Sequence, residues 1–549
     1  MQHSDSHSKI DRGKRLGEIL KVLGRYGLAD WFTKIPAGKI RDLLVSQEQQ
    51  AIAQKPEGER LRLALTELGT TFIKLGQVLS TRGDMVGPEI AGELQKLQSN
   101  TPADDADQVE ALIQEEFGKS PDELFVEFDP IAFSSASIGQ VHRARLEGGK
   151  EVVVKVQHTG IEGNVRQDLD LLEELAKLLE KHVPDAASYQ PVATAREFRR
   201  TLLKELDFKS ERRNMEEFTR NFAEDETLHV PEIVGERCSR RVLTMEMLDG
   251  ISGSKPEEIS ASGVDLDEFA KRAANIFLNM ILRDGFYHAD PHPGNFVMLE
   301  GGVLGLLDCG MVGRIDEPML EEFGDVLSAL LQSDAEGLSE LLLRFGSAPP
   351  DIDRVGFRID VSDLLSEVGT QSIEDIEIGV ALEKIADIMR RYRVVMPSRV
   401  ALLLKTLVML EGTSRLLSPN FSLAEVLAPF KEQMIRQRMD PRRWLKKMQR
   451  RARDVDRLMT SAPTALADMI DRLQAGKLAM RHDVPRLEVT ANRMVAGVLI
   501  ASLFLGSSLL LGLAVPPQVA GVSVFGALGY LGGALLGGRL LWGIRNQLK

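Results

Sequence analysis

Asp290 stands five residues before Asn295 in His288-Ala-Asp-Pro-His-Pro-Gly-Asn295, and a second aspartate follows in Asp308-Cys-Gly310. Between them, Phe296 to Leu307 reads as a β-hairpin turning at Gly301-Gly302. The fold is constrained accordingly, because the hairpin must return the second acid to the loop that holds the first. Phosphoryl transfer is the chemistry that needs these groups together. One carboxylate orients or deprotonates the acceptor, while an amide oxygen (Asn295) and the other carboxylate (Asp308) hold cations on the phosphates. A zinc or iron site built from His288, Asp290 and His292 is the alternative, since imidazole and carboxylate at alternate positions suit those metals. The later Asp308 and the lack of further His or Cys clustering favour phosphates with Mg2+.

Upstream elements support that reading. Glu151-Val-Val-Val-Lys-Val156 is an apolar strand carrying Lys155, and a lysine there is costly unless its ammonium meets an anion. Protein kinases use such a strand lysine to grip the α- and β-phosphates and pair it with a helix glutamate. The nucleotide loop is expected just before it, at Ser134-Ser135-Ala136-Ser137-Ile-Gly139. Only one glycine is present where kinases use three, so the loop should be stiffer than a glycine-rich flap. Gln140 to Arg145 and Glu151 to Val156 flank Gly148-Gly149, a hairpin signal, while Pro231 to Val234 and Arg241 to Met247 read as another antiparallel pair.

At 549 residues the chain exceeds one ordinary domain. We expect an α+β, bilobal kinase-like fold: a helical extension over 1–125, an N-lobe over 126–248 and a C-lobe over 249–430. A basic helical region over 431–493 and a terminal helical hairpin over 494–544 complete the plan. Leu61, Leu65, Leu68, Phe72, Leu75 and Leu79 form one helical stripe. Thr101 to Asp105 reads as a loop and N-cap for a helix over Ala106 to Phe117. Helices are also expected over Asn164 to His182 and Thr194 to Phe222. Two cysteines, Cys238 and Cys309, exclude a disulfide framework or thiolate cage and suit a reducing compartment. No nucleic-acid motif is present, and the N-terminus lacks the apolar core of a secretory signal.

Met494 to Val515 runs 22 residues without a charge, and Val519 to Gly538 is again uncharged after Pro516-Pro517. The first run would cover roughly 33 Å as a helix, enough to cross a bilayer, so two transmembrane helices are expected. Arg493, Arg539, Arg545 and Lys549 then place both ends in the cytoplasm. The expected location is the bacterial inner membrane, with the catalytic part cytoplasmic. Gly529, Gly533 and Gly537 make a small-residue face for helix packing, within the chain or in a homodimer. The ten Lys or Arg against three Asp from Arg436 to Arg457 read either as a solvated face or as attraction to anionic membrane lipids.

Taken together, these motifs closely resemble the UbiB-like atypical kinases, also called the AarF or ADCK family. Lys74-Leu-Gly76-Gln77 resembles the family's KxGQ signature, and the HADPHPGN string its catalytic loop. Ser134 to Ser137 resembles its alanine-rich loop, with two serines where alanines are usual. Glu205-Leu-Asp207 matches its ExD signature, and Glu211 the glutamate expected to pair with Lys155. The resemblance implies that Lys155 and Asp290 are catalytic and that Ser134, Ser135, Ala136, Ser137, Gly139, Lys155, Glu211 and Met247 bind ATP. It implies that Glu205 and Asp207 contact the KxGQ helix, which covers the site where a protein kinase receives its peptide. On one continuous helix Asp207 and Glu211 would share a face, and Lys74 and Gln77 would project together into the cleft. Isoprenoid-quinone precursors and the enzymes that process them are the implied partners.

Cys309 departs from the family's Asp-Phe-Gly, and helical sequence resumes within about ten residues of Gly310, with no Ala-Pro-Glu element. A peptide platform is therefore missing. The sequence implies a kinase or ATPase acting on lipid precursors, with a nucleotide-binding pseudokinase scaffold as the alternative. A soluble small-molecule kinase similar to aminoglycoside phosphotransferases fits less well, given the KxGQ extension and the expected spans.

Overall fold

The structure is a computed structural model describing residues 2–28, 55–97, 101–183, 190–369, 377–427, 429–430, 487–513, 516–519 and 522–545. Two compact units emerge, Met1–Asp440 and Pro441–Lys549. The basic stretch from Arg436 to Arg457 lies outside the described residues.

In the first unit a five-stranded antiparallel sheet carries the lysine strand at its centre. Glu151–Gln157 pairs with Gly139–Arg145 on one side and Val242–Glu246 on the other, so Lys155 sits opposite both Val141 and Leu243. Gly148 and Gly149 make the expected turn at φ of 94° and 85°, a region open to glycine. The second antiparallel pair read from the sequence is short: Ile233 bridges antiparallel to Met245, with the Val234 N–H donating to the Thr244 carbonyl at 3.0 Å and the Glu246 N–H to the Glu232 carbonyl at 2.8 Å.

Helices Ile161–His182, Pro191–Glu205 and Phe208–Asn221 follow. Between the last two the chain breaks, and Asp207 caps the second by accepting the Lys209 N–H at 3.1 Å. Ala106–Phe117 is helical as expected, with Asp105 and Gln108 forming a capping box. The apolar stripe from Leu61 to Leu79 is instead two helices, Glu57–Leu68 and Thr70–Leu79, divided at Gly69, whose φ is 91°. These helices bury Leu61, Leu65, Leu68 and Phe72 against Ile19, Leu94 and Leu97.

The remainder of this unit is mainly helical around Leu266–Leu282 and Ser398–Leu417, with the hairpin Phe296–Met298/Leu304–Leu306 forming the two inner strands of a small four-stranded sheet. Phe286–His288 pairs with Val312–Arg314, which places the catalytic loop and the end of the hairpin side by side.

The second unit holds helices Leu487–Gly512 and Val524–Arg545. Gly526, Gly529, Gly533 and Gly537 face Leu511, Ser507, Phe504 and Ile500 in turn, so this glycine face packs on the first helix of the same chain. The expectation of two transmembrane helices is corrected. Among the described residues no helix is long and apolar enough to cross a membrane. A short pairing of Gln518–Val519 with Val522–Ser523 occupies the start of the expected second span. Its helix begins only at Val524 and meets Arg539, leaving about 22 Å of uncharged helix against a hydrocarbon core of about 30 Å. The first helix takes in Glu488 and Arg493 and stops at Gly512 rather than Val515. Counting uncharged residues measured composition, whereas spanning depends on where a helix starts and stops. The placement in a bacterial inner membrane through two terminal spans loses its basis with them.

Candidate active site

Lys155 is the centre of the site. Its Nζ donates to both Glu211 carboxylate oxygens, at 3.0 and 2.9 Å, and to Asp308 Oδ2 at 3.2 Å. Glu211 is buried and Lys155 half-buried, with side chains 5% and 15% exposed, whereas the Asp308 side chain is 48% exposed. One cation thus serves two carboxylates. Burial opposes the charge on Lys155, but Asp308 and Glu211 outweigh it and hold the ammonium above its usual range. Burial pushes Glu211 up; Lys155 pulls it back and Asp308 adds a smaller repulsion, and the carboxyl ends above its usual range. For Asp308, burial is overcome by Lys155 and by the Gly310 N–H donating to Oδ1 at 2.7 Å, so this carboxyl lies well below the usual range. The outer carboxylate therefore stays ionised and faces solvent, while the inner one anchors the lysine.

Asn295 Nδ2 donates to Asp290 Oδ2 at 2.9 Å and to its carbonyl at 3.0 Å. That fixes the Asp290 carboxylate and directs the amide oxygen of Asn295 away from it. Together with Asp308 this provides hard oxygen donors of the kind magnesium takes. His288 is 1% exposed and uses both ring nitrogens on backbone: Nδ1 accepts the Asp290 N–H at 3.2 Å, and Nε2 donates to the Asp308 carbonyl. His292 Nδ1 accepts the Gly294 N–H at 3.1 Å. These two histidines shape the loop, and His288 has no nitrogen left for zinc or iron.

The loop at Ser134–Ser137 is braced from behind. Ser134 and Ser135 pair with Val141 and Gln140, and the Ala136 N–H donates to the Gly139 carbonyl at 2.9 Å. His158 Nε2 donates to the Ala136 carbonyl at 2.9 Å, and its Nδ1 lies 2.9 Å from Asp104 Oδ1. Gly139 is needed for close approach, since a Cβ there would lie 2.5 Å from the Val156 carbonyl oxygen. Asp104 and His158 were missed from the sequence because no motif marks them. Met247 is half-buried where the chain leaves the sheet, its N–H donating to the Glu151 carbonyl at 3.2 Å.

The helix Thr70–Leu79 reaches the site at two points: Lys74 is ion-paired to Glu205, and Thr70 Oγ1 donates to the Ser137 carbonyl at 3.1 Å. Gly76 and Gln77 turn toward the extension's own core. A Cβ on Gly76 would collide with Leu97 and Leu65, and Gln77 Nε2 donates to the Leu97 carbonyl at 3.3 Å. Asp207 caps its helix, so Glu205 alone of that pair meets the KxGQ lysine. Cys309 is buried, its thiol is pushed up by burial, and its carbonyl accepts Asn214 Nδ2 at 2.9 Å. After Gly310 the chain makes the strand Val312–Arg314 and is helical from Glu317.

A sheet lysine paired to a helix glutamate, an Asp–Asn catalytic loop and an Asp-x-Gly turn define a kinase-like protein. The ABC1 atypical kinase-like domain matches residues 96–342, the UbiB helical domain 361–422 and the ABC1/UbiB kinase-like C-terminal domain 479–546. A probable protein kinase UbiB from Aeromonas salmonicida is 34% identical over 78% of this chain and 80% of its own length. One of the same description from Azotobacter vinelandii is 33% identical over 82% of this chain and 85% of its own. A Clostridium pasteurianum protein described as uncharacterized, in a hydrogenase 1 5' region, is 29% identical over 96% and 98% of the two chains. The chain belongs to the ABC1/UbiB family of atypical kinase-like proteins.

Proposed function

We propose that this chain binds ATP with magnesium and transfers or releases the terminal phosphoryl group in support of isoprenoid-quinone (ubiquinone-type) synthesis, acting on or extracting lipid precursors. The observation that carries the nucleotide reading is Lys155 held between Glu211 and the half-exposed Asp308, close behind a loop in which Asn295 fixes Asp290. Lys155 would bind the α- and β-phosphates, and Ser134 to Gly139 would cover them. Asn295 and Asp308 would hold the magnesium, which when bound screens the phosphate charge. Asp290, aligned by Asn295, orients the acceptor and takes its proton. Only six residues separate Gly310 from the helix at Glu317, and all three residues of the strand Val312–Arg314 pair directly with the catalytic-loop strand. That short connection favours water or a small lipid-like acceptor over a protein hydroxyl. The quinone assignment rests on the family resemblance.

Asp308→Asn is expected to abolish magnesium-dependent stabilisation by ATP in a thermal-shift titration; binding equal to wild type would remove the site from consideration. For the pathway, deletion of the gene followed by mass spectrometry of lipid extracts should show quinone lost and a precursor accumulated. An unchanged quinone pool counts against the lipid role.

A further inference from the structure

A lysine that no motif marks lies on the helix turn that packs against the catalytic loop next to Asp290. Lys405 lies on the helix Ser398–Leu417, and its neighbour Thr406 donates its hydroxyl to the Ala289 carbonyl at 3.3 Å. That bond docks this turn of the helix against the catalytic loop one residue before Asp290. Lys405 is half-buried, and among the described residues no carboxylate lies within ion-pair distance of it. Burial pushes its ammonium below the usual lysine range; Asp290 pulls the other way and Lys74 adds repulsion. The two other lysines of the site described above are already paired: Lys155 with Glu211 and Asp308, and Lys74 with Glu205. Even half-buried, an ammonium without a partner is partly desolvated, and an arriving anion offsets that cost.

The catalytic loop itself supplies no cation on the acceptor side. Its one candidate, His292, is folded back onto the Gly294 N–H. In phosphoryl transfer the charge spreads over the equatorial oxygens of the moving group and needs a cation there. We propose that Lys405 is that cation: its ammonium binds the phosphoryl group in flight between nucleotide and acceptor. The inference rests on the phosphoryl-transfer reading above. As the acceptor oxygen bonds to the γ-phosphorus, the bridging bond to ADP breaks and its electron pair leaves with ADP. The acceptor proton passes to Asp290, and Lys405 keeps its own proton throughout.

The test compares wild type, Lys405→Met and Lys405→Arg as full-length protein with magnesium. The probe for the transition-state charge is ADP with and without fluoroaluminate, read by thermal shift and calorimetry, alongside phosphate release from ATP. Lys405→Met should bind ADP within about twofold of wild type, because the lysine does not serve the α- and β-phosphates. It should lose the added stabilisation from fluoroaluminate and release phosphate on the order of 100-fold more slowly, as expected for removing one charge-stabilising donor. Lys405→Arg should restore part of both. Without ligand, Lys405→Met should melt no lower than wild type, since the change removes an unpaired, half-buried charge; a purely structural lysine would lower it. Retained fluoroaluminate response and wild-type turnover in Lys405→Met overturn the proposal while leaving the phosphoryl-transfer reading intact. If wild type itself shows neither turnover nor a fluoroaluminate response, that reading falls and the proposal falls with it.

Discussion

Replacing Lys155 with methionine should destabilise the protein more than replacing Glu211 with glutamine, although both changes break the same pair. The asymmetry follows from the partners. Lys155→Met leaves Glu211, whose side chain is only 5% exposed, as a buried carboxylate without a cation. Breaking a buried pair in that way costs about 3–5 kcal/mol. The Asp308 leg adds little, because that side chain is 48% exposed and its pairing is worth at most about 1 kcal/mol after screening. Glu211→Gln leaves Lys155 still bonded to Asp308 and still able to donate to the amide oxygen, so about 1–2 kcal/mol is expected. The double variant should be more stable than Lys155→Met alone, since the orphaned carboxylate is gone.

The pH dependence sharpens the test. In wild type burial already raises the Glu211 carboxyl, and removing Lys155 raises it further. A group whose folded pKa lies above its unfolded one stabilises at low pH and loses that contribution as pH rises through the folded value. The gap between Lys155→Met and wild type should therefore narrow as pH falls from about 8 toward 5. Urea unfolding followed by far-UV circular dichroism measures it. A Lys155→Met protein within about 0.5 kcal/mol of wild type at the alkaline end would refute the reasoning. A gap that widens on acidification would do the same.

Two further outcomes probe the extension. Gly76→Ala should cost about 1–3 kcal/mol, read as a lowered melting temperature, because its methyl has to enter the space of Leu97 and Leu65. Wild-type stability there would mean that the helix does not pack this closely. Arg82→Ala should cost about 3–5 kcal/mol and speed hydrogen exchange over residues 57–95. Asp84, fully buried, would lose the guanidinium bonded at 3.0 Å while still accepting the Met396 N–H at 3.0 Å; unchanged exchange would show that the clamp is not needed.

Much of the site could be read from local pattern. Gly148-Gly149 and Gly301-Gly302 turn where their positive φ values allow, and Asp105 caps its helix as its spacing to Gln108 suggests. The catalytic loop and Lys155 stood out because each is marked by neighbours a few residues away, whereas Glu211 was singled out only through the family resemblance. The errors share one cause. The helix breaks at Gly69 and Asp207, and the inward turn of Gly76 and Gln77, depend on what packs from elsewhere in the chain. So does the length of each terminal helix, which overturned the spans inferred from uncharged runs.

The sequence by itself determined the chemistry on offer: two acids, an amide and a strand lysine in kinase order, with a short connection behind them. Spacing can do this because turns, caps and strand alternation are local, set by steric limits and hydrogen bonds over a few residues. Only the tertiary structure decided which charges meet. It gave Lys155 two carboxylates, took Lys74 to Glu205, used both nitrogens of His288 on backbone, and docked the helix turn carrying Lys405 and Thr406 on the catalytic loop from far along the chain. Those choices come from burial, which ranks every possible pairing against the cost of leaving a charge without water. That cost is set by all the packed elements together, and no stretch of sequence carries it alone.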